Sequence, residues 1–475
     1  MFYKYTRREK LRVSFPQRHK SPKISTRFPT PLHKIQPRGR NRGTDMDKIL
    51  VNGGNTLHGT VAIGGMKNSA LPVISACVLT KETCIIDNIP MVSDIKLLLE
   101  ILSSIGAEVR MLSNTSVQIN CKNVAPCSSP DELASQLRGS SYLLGAELGR
   151  FGETSVVLPG GCKIGARPLD FHMKAFESLG AQCSIINGHL TAEAINGLHG
   201  NTIFFDKVSV GATVNAILSS VLAEGTTVIE NAAREPHIVD LAVFLNACGA
   251  NIMGAGTSVI KVKGVSELHG CRYSIAPDMI EAGTYMVAAA TVGGRVTVTN
   301  IIPKHLESVT NKLIEAGVKV IVGDSYITIE SNGKYKAVDI VTQPYPGFPT
   351  DMQAQFSTML CYAEGTSRVT ENIFTGRFQF ADELAKTGAK VSVDCNTAVI
   401  KGVERTGCAP LTCHDLRAGA AMVIAALRSE GVSEITGIDK IERGYVDIVD
   451  KFANLGADIK LVRDMGVLTH TTATN

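Results

Sequence analysis

Two kinds of apolar segment alternate along this chain. The first is a run of small and branched apolar residues with no polar face, followed by a polar turn and a β-rich strand. It recurs as ATVNAILSSVLAEGTTVIEN, AGTYMVAAATVGGRVTVTN, AQFSTMLCYAEGTSRVTEN and AGAAMVIAALRSEGVSEITG. A helix apolar all round must be buried, so each run predicts an internal helix feeding a strand. The second kind is amphipathic, with apolar residues three and four apart: Leu169, Met173, Phe176, Leu179, and again Ile238, Leu241, Leu245, Cys248. Six helix-like stretches end in a glycine followed by a short apolar strand, at Gly106, Gly180, Gly249, Gly317, Gly388 and Gly456. Glycine readily takes the positive φ that closes a helix. Successive gaps are 74, 69, 68, 71 and 68 residues. Each period then holds two helices and about four short strands, which predicts a six-fold α/β repeat split three and three into two domains. A cleft between two such halves is the default place for a site.

The length of 475 residues fits more than one core. The longest apolar runs, around Met286–Gly293 and Ala418–Leu427, fall short of the ~18 residues that span a bilayer, so no membrane insertion is expected. Twelve cysteines are scattered with no CxxC pair, and the nearest couple, Cys408 and Cys413, has no His/Cys partners for zinc. Most are therefore expected to be reduced and buried, in a cytoplasmic setting.

Charge changes the picture at one end. Residues 1–45 hold 13 Lys/Arg against Glu9 and Asp45, leaving −7 for the rest of a chain whose formal net charge is +4. This basic stretch lacks apolar periodicity, repeats Pro, Ser and Thr, and is expected to be disordered. It reads as a nucleic-acid arm, a transit peptide for an organelle such as a plastid, or upstream sequence misread as coding. The third is preferred, because Met46 opens MDKILVNGG like a natural start. The acidic body, without Trp, carries no sign of nucleic-acid binding.

The chemistry-bearing residues cluster at predicted helix starts. In PGGCKIGARP (residues 159–168), three glycines surround Cys162, Lys163 and Arg167, and Pro168 is expected to open a helix. A thiol near cations and a helix N-terminus has a lowered pKa, and the same amides can hold an anion; taken alone, the segment is also an ordinary surface turn. In GGMKNSALP, Lys67 and Asn68 open the first buried helix, where a cation opposes the dipole and hints at an anionic partner. Arg138 and Arg417 sit at matching buried-helix starts, where pairing with an internal carboxylate is the plainer reading. Arg377 and Arg443 lead into amphipathic helices. Asp278, Asp351 and Asp415 occupy matching positions before buried helices, and local pattern makes all three caps. The chain has no Walker loop, no GxGxxG after a first strand, no HExxH and no GxSxG. An anion-binding cleft with a polarised thiol and a carboxylate remains.

PGGCKIGARP, GGMKNSALP, DKVSVGATVNAILSSVLAEGTTVIENAAREPHIVD, FPTDMQAQF and ERGY, in this order, resemble the UDP-N-acetylglucosamine 1-carboxyvinyltransferase family of enolpyruvyl transferases from Met46 to about Val462. The resemblance implies an inside-out α/β barrel of two domains, each of three βαβαββ units. One would span residues 69–275, the other 46–68 with 276–475, leaving 1–45 as an extension. It implies transfer of enolpyruvyl from phosphoenolpyruvate to the 3′-hydroxyl of UDP-N-acetylglucosamine, with phosphate released. Catalytic roles would fall to Cys162 (general acid and covalent phosphoenolpyruvate adduct), Asp351 (base), Lys67 and Arg443. Phosphoenolpyruvate would meet Lys67, Asn68, Arg167, Arg377, Arg417 and Arg443. The nucleotide sugar would meet Arg138, Arg167, Pro168, Leu169, Asp170, Phe171, Lys207, Val208, Ser209, Val210, Asp351 and Ile373. No metal or organic cofactor is implied, and Cys162 implies alkylation by fosfomycin. The sequence departs from the family in reading RGSS after the usual arginine position, which loosens that helix start, and in its basic head. The shikimate-pathway enolpyruvyl transferase and an inactive paralogue with a binding role are the rival readings.

Overall fold

The strand Lys48–Asn52 lies between Val432–Thr436 and Asp458–Val462, antiparallel to both, so the first and last strands of the fold share one sheet. The structure, a computed structural model, describes residues 47–158 and 169–463, all within one compact unit spanning Asp45–Asn475. The basic head and residues 159–168 lie outside the described residues.

Among the described residues six sheets form, five of four strands and one of three. Every four-stranded sheet follows one plan, with a parallel strand at one edge and two antiparallel pairings beyond it. In one of them, Thr202–Phe204 pairs parallel with Thr226–Glu230, which pairs antiparallel with Val259–Lys263. The three-stranded sheet, built on Glu153–Val157, has only the antiparallel pairings. The chain before its first helix reads VAPCSSP. Pro126 and Pro130 cannot donate to a ladder, and Cys127 takes a φ of 55° there.

The pattern of small residues and glycines acts as expected. The helices Met279–Val292 and Leu416–Arg428 are buried around their circumference. All six predicted glycines have φ between 90° and 107°. Leu169, Phe176 and Leu179 are buried, as are Ile238, Leu241, Leu245 and Cys248, and Met173 packs beside the core. Two differences stand out. The helix expected to open at Pro168 has Asp170 as its first described helical residue. Of the eleven described cysteines, all free, six are buried while Cys127, Cys395 and Cys408 are exposed. Cys395 occupies a positive-φ turn, where its side chain has no core to enter.

Two apolar cores result. One gathers buried side chains between 66 and 275; the other joins 49–63 to 280–459. The chain passes between them twice, and the two crossings are hydrogen-bonded side by side: Met66 N–H to the Ala276 carbonyl at 2.8 Å and Asp278 N–H to the Gly64 carbonyl at 2.9 Å. At Gly65 a Cβ would stand 1.7 Å from the Asn88 carbonyl oxygen, so only glycine fits.

Polar groups inside the first core are joined rather than scattered. Asn215 donates to His172 Nδ1 at 2.8 Å and to the Ser141 carbonyl at 3.0 Å, and its Oδ1 accepts from Gly145 N–H at 2.7 Å. Burial, then the charge of Arg138, lowers His172 to about 3, so the ring is neutral with its proton on Nε2. Glu147 is fully buried, accepting from Thr154 Oγ1 at 2.8 Å and Cys127 N–H at 3.3 Å. Its Oε1 has no partner among the described residues. Burial raises its pKa to about 7. Between the ordinary carboxylate range and that value the folded protein keeps a proton the unfolded chain loses, so stability falls as pH rises through this window. Glu147→Gln removes the titration. Its melting temperature should fall less than the parent's between about pH 5 and about pH 8, by a stability difference on the order of 2–3 kcal/mol; parallel declines would refute the assignment.

Candidate active site

Asp351 and Asp94 each stand between two cations. Asp351 sits in the 3-10 turn Thr350–Met352 before the buried helix Gln353–Leu360. Its Oδ1 accepts from Arg377 at 2.7 Å, and its Oδ2 accepts from Arg417 Nε at 3.2 Å and the Arg417 terminal nitrogen at 2.8 Å. The two arginine side chains are 4% and 5% exposed, against 26% for Asp351, so the carboxylate faces the opening and the guanidiniums lie behind it. Arg377 also donates to Thr350 Oγ1 at 2.6 Å, and that hydroxyl donates to Glu371 at 2.8 Å. Aromatic faces support both cations, Phe374 at 5.2 Å from Arg377 and Tyr445 at 5.6 Å from Arg417. One donor of each, Arg377 Nε and Arg417 Nη1, is buried without a partner among the described residues.

The local pattern groups Asp351 with Asp278 and Asp415. Those two cap their helices, Asp278 accepting from Ile280 and Glu281 amides and Asp415 from Arg417 and Ala418 amides. Asp351 makes no cap bond and belongs to the arginines instead. Burial alone would raise its pKa, but Arg417 and Arg377 outweigh that and hold it well below the carboxylate range. Burial likewise opposes the charge of Arg417, and Asp351 more than offsets it.

The second centre has no signature in the sequence. Asp94, in the first turn of the helix Ser93–Ser104, accepts from Lys67 Nζ at 3.1 Å and Arg443 Nε at 2.9 Å. Lys67 is the first residue of the helix Lys67–Ala76, so its expected anionic partner is supplied by the protein. Burial lowers the Lys67 pKa; Asp94 counters this, and the nearby charges of Arg417 and Arg443 lower it further. The two carboxylate centres are thus neighbours. In SDIKLLLE, Asp94 looks like any first-turn acid, and its partners lie 27 and 349 residues away, so no local signal distinguishes it.

The remaining predicted residues lie on helix starts and turns of the first core and on one turn of the second. Asn68 is half-buried beside Lys67. Arg138 opens a 3-10 turn through Ser141, ahead of the helix Tyr142–Phe151, consistent with the loosening expected of RGSS. Leu169 is buried and Asp170 begins the helix Asp170–Ser178; the Phe171 ring lies 6.1 Å from that of Phe205. Lys207 is exposed, Val208, Ser209 and Val210 are half-buried, and Ser209 caps the helix Val210–Ser220 through the Ala212 amide at 3.4 Å. Ile373 is 37% exposed, its N–H held by Glu371 at 2.8 Å. Cys162, Arg167 and Pro168 lie outside the described residues. Among the described residues no group of three or more His, Cys, Asp or Glu is arranged for a metal ion, and no helix is long and apolar enough to cross a membrane.

An α/β scaffold with two carboxylates, each serving two cations, matches the enolpyruvyl transferases in sequence and in fold. The family model for EPSP synthase (3-phosphoshikimate 1-carboxyvinyltransferase) matches residues 51–452. The enolpyruvyl transferase NikO of Streptomyces tendae superposes with a TM-score of 0.80 at 25% identity, covering 88% of this chain and 99% of that one. An EPSP synthase from Acinetobacter baumannii gives 0.69 at 18% identity, over 88% and 100%. The UDP-N-acetylglucosamine 1-carboxyvinyltransferase 2 of Clostridium acetobutylicum is 54% identical over 87% of this chain and 99% of its own length. The UDP-N-acetylglucosamine 1-carboxyvinyltransferase of Clostridium botulinum is 51% identical over the same shares. The chain belongs to the EPSP synthase family and, within it, to the UDP-N-acetylglucosamine 1-carboxyvinyltransferases.

Removing the Asp94 charge would take from Lys67 and Arg443 the carboxylate they share. Asp94→Asn should therefore cost on the order of 2–3 kcal/mol, less than a fully buried pair because Arg443 is partly exposed. Thermal unfolding reads this as a lowered midpoint that Asp94→Glu partly restores; an unchanged midpoint in Asp94→Asn would count against the shared pair.

Proposed function

We propose that this protein transfers the enolpyruvyl group of phosphoenolpyruvate to the 3′-hydroxyl of UDP-N-acetylglucosamine, releases phosphate, and so begins peptidoglycan synthesis in the cytoplasm. The observation that carries the site assignment is Asp351 clamped by Arg377 and Arg417 while each guanidinium keeps a buried donor without a partner among the described residues. Buried unspent donors suit a polyanionic ligand, because each costs free energy until it is satisfied. In this reading Lys67, Asn68, Arg377, Arg417 and Arg443, with Arg167, receive the phosphate and carboxylate of phosphoenolpyruvate. Arg138, Arg167–Phe171, Lys207–Val210 and Ile373 receive the nucleotide sugar. The reading includes the division into 69–275 and 46–68 with 276–475 as six βαβαββ units in two inside-out barrels. The two cores and the shared plan of five sheets support it.

The reaction needs a proton on the vinyl methylene carbon, so that the neighbouring carbon accepts the sugar oxygen. Cys162 gives that proton and Asp351 takes the one leaving the hydroxyl. Loss of phosphate, with a proton from the new methyl group, restores the double bond. Held by Arg417 and Arg377, Asp351 has its pKa lowered and is a weak base. A phosphate dianion accepting from Arg377 Nε and Arg417 Nη1 brings negative charge beside Asp351 and offsets the cations that hold its pKa down, so that pKa rises. Substrate binding thereby makes the base.

Asp351→Asn should lower kcat by about 100-fold or more, the usual contribution of a positioned base, and unchanged turnover would undo the role. Phosphate release should require UDP-N-acetylglucosamine, whereas turnover with shikimate 3-phosphate would favour the sister enzyme and none with either would favour an inactive paralogue. Incubation with fosfomycin should add the drug's mass at Cys162; an active protein with no adduct would remove that cysteine from the chemistry.

A further inference from the structure

Apart from the charged centre, thiols from four separate segments meet in the first core. Cys77 follows the helix Lys67–Ala76, Cys84 lies in the strand Thr83–Asp87, Cys248 closes the helix Pro236–Ala247, and Cys271 precedes the strand Arg272–Ser274. Cys77, Cys84 and Cys248 are almost completely buried, while Cys271 is only half-buried. The Cys248 S–H points at the Cys271 sulfur, Sγ to Sγ 3.3 Å. The backbone fixes both: the Cys248 carbonyl accepts from His269 N–H at 2.9 Å and the Cys271 carbonyl from Ile85 N–H at 2.8 Å. The set is not arranged for a metal ion. Its asymmetry suits redox chemistry instead, with one reachable sulfur that accepts a hydrogen bond and one enclosed sulfur that donates it.

The geometry points to Cys271 and Cys248 as a peroxide-responsive thiol pair that closes reversibly into a disulfide. The Cys271 thiolate attacks one oxygen of hydrogen peroxide, giving Cys271 sulfenic acid and hydroxide, which takes up the proton Cys271 had released. The sulfur of Cys248 then attacks the sulfenic sulfur; the S–S bond forms, the S–O bond breaks, and the Cys248 proton leaves with the hydroxyl as water. Two thiols are oxidised, one peroxide is reduced, and two waters result. Burial pushes the Cys271 thiol up, against the hydrogen bond from Cys248, so the first step is slow and the second, between sulfurs already in contact, is fast. The enclosed partner intercepts the sulfenic acid before it reaches irreversible sulfinic acid.

Peptide mapping with differential alkylation tests this on the full-length protein, independently of turnover and of Cys162. At a peroxide dose that oxidises exposed Cys395, the Cys248 and Cys271 peptides should appear linked, lighter by two hydrogens, and separate again with a thiol reductant. Recovery of both as free thiols, or a link from either to Cys84, would overturn the proposal. In Cys248→Ser, Cys271 should accumulate a sulfenic acid captured by a dimedone-type probe, several-fold above the parent. Equal capture in the two would also overturn it, and the parent mapping stands even if the variant does not fold.

Discussion

Everything at the candidate site depends on how four buried or half-buried cations are kept in place. Lys67 and Arg417 at helix starts oppose the helix dipole, and all four cations lose hydration on burial. Two carboxylates offset this, each serving two cations, Asp351 for Arg377 and Arg417 and Asp94 for Lys67 and Arg443. The arrangement is economical and incomplete, because among the described residues two guanidinium donors have no partner behind Asp351. A centre neutralised fully by its own acids would have no reason to take up an anion.

Those four cations come together only because of how the chain crosses between its two cores. Lys67 stands next to the paired crossings at 64–66 and 276–278, where the backbone strands hold each other. Asp94 belongs to the core spanning 66–275, whereas Arg443 lies between Ile441 and Tyr445, which belong to the other. A backbone bond from Ser93 N–H to the Glu442 carbonyl at 3.0 Å keeps the same two segments together. The shared Asp94 is therefore also a contact between segments packed on different cores. Any anion competing for Lys67 or Arg443 acts on that contact as well.

The sheets carry a related lesson about repetition. Five of them use the same parallel edge strand, and the sixth does without it where two prolines and a positive-φ cysteine interrupt the chain. The buried Glu147 takes up the Cys127 amide there, so a side chain does part of what a ladder does elsewhere. The helix that carries Glu147 follows the Arg138 turn, and the polar hub of Asn215 and His172 ties the same region together.

How much of this was legible without coordinates follows from the range of each interaction. The small-residue helices and the six glycines were legible because burial and helix closure are decided within a few residues. Lys67, Arg377, Arg417 and Arg443 were legible as cations in places where cations are costly, and the motif resemblance named Asp351. Local pattern could not separate Asp351 from Asp278 and Asp415, because the three look alike until the arginines arrive from elsewhere in the fold. Asp94 was invisible, since its partners are brought in by tertiary packing. The thiol pair was invisible too: Cys248 and Cys271 are ordinary apolar positions until a helix end and a strand start meet. The sequence by itself determined the periodic elements and the kinds of charge, because propensity, burial and helix closure act locally. Only the tertiary structure decided which acid serves which cation and which sulfurs touch, because those energies depend on distances across the fold.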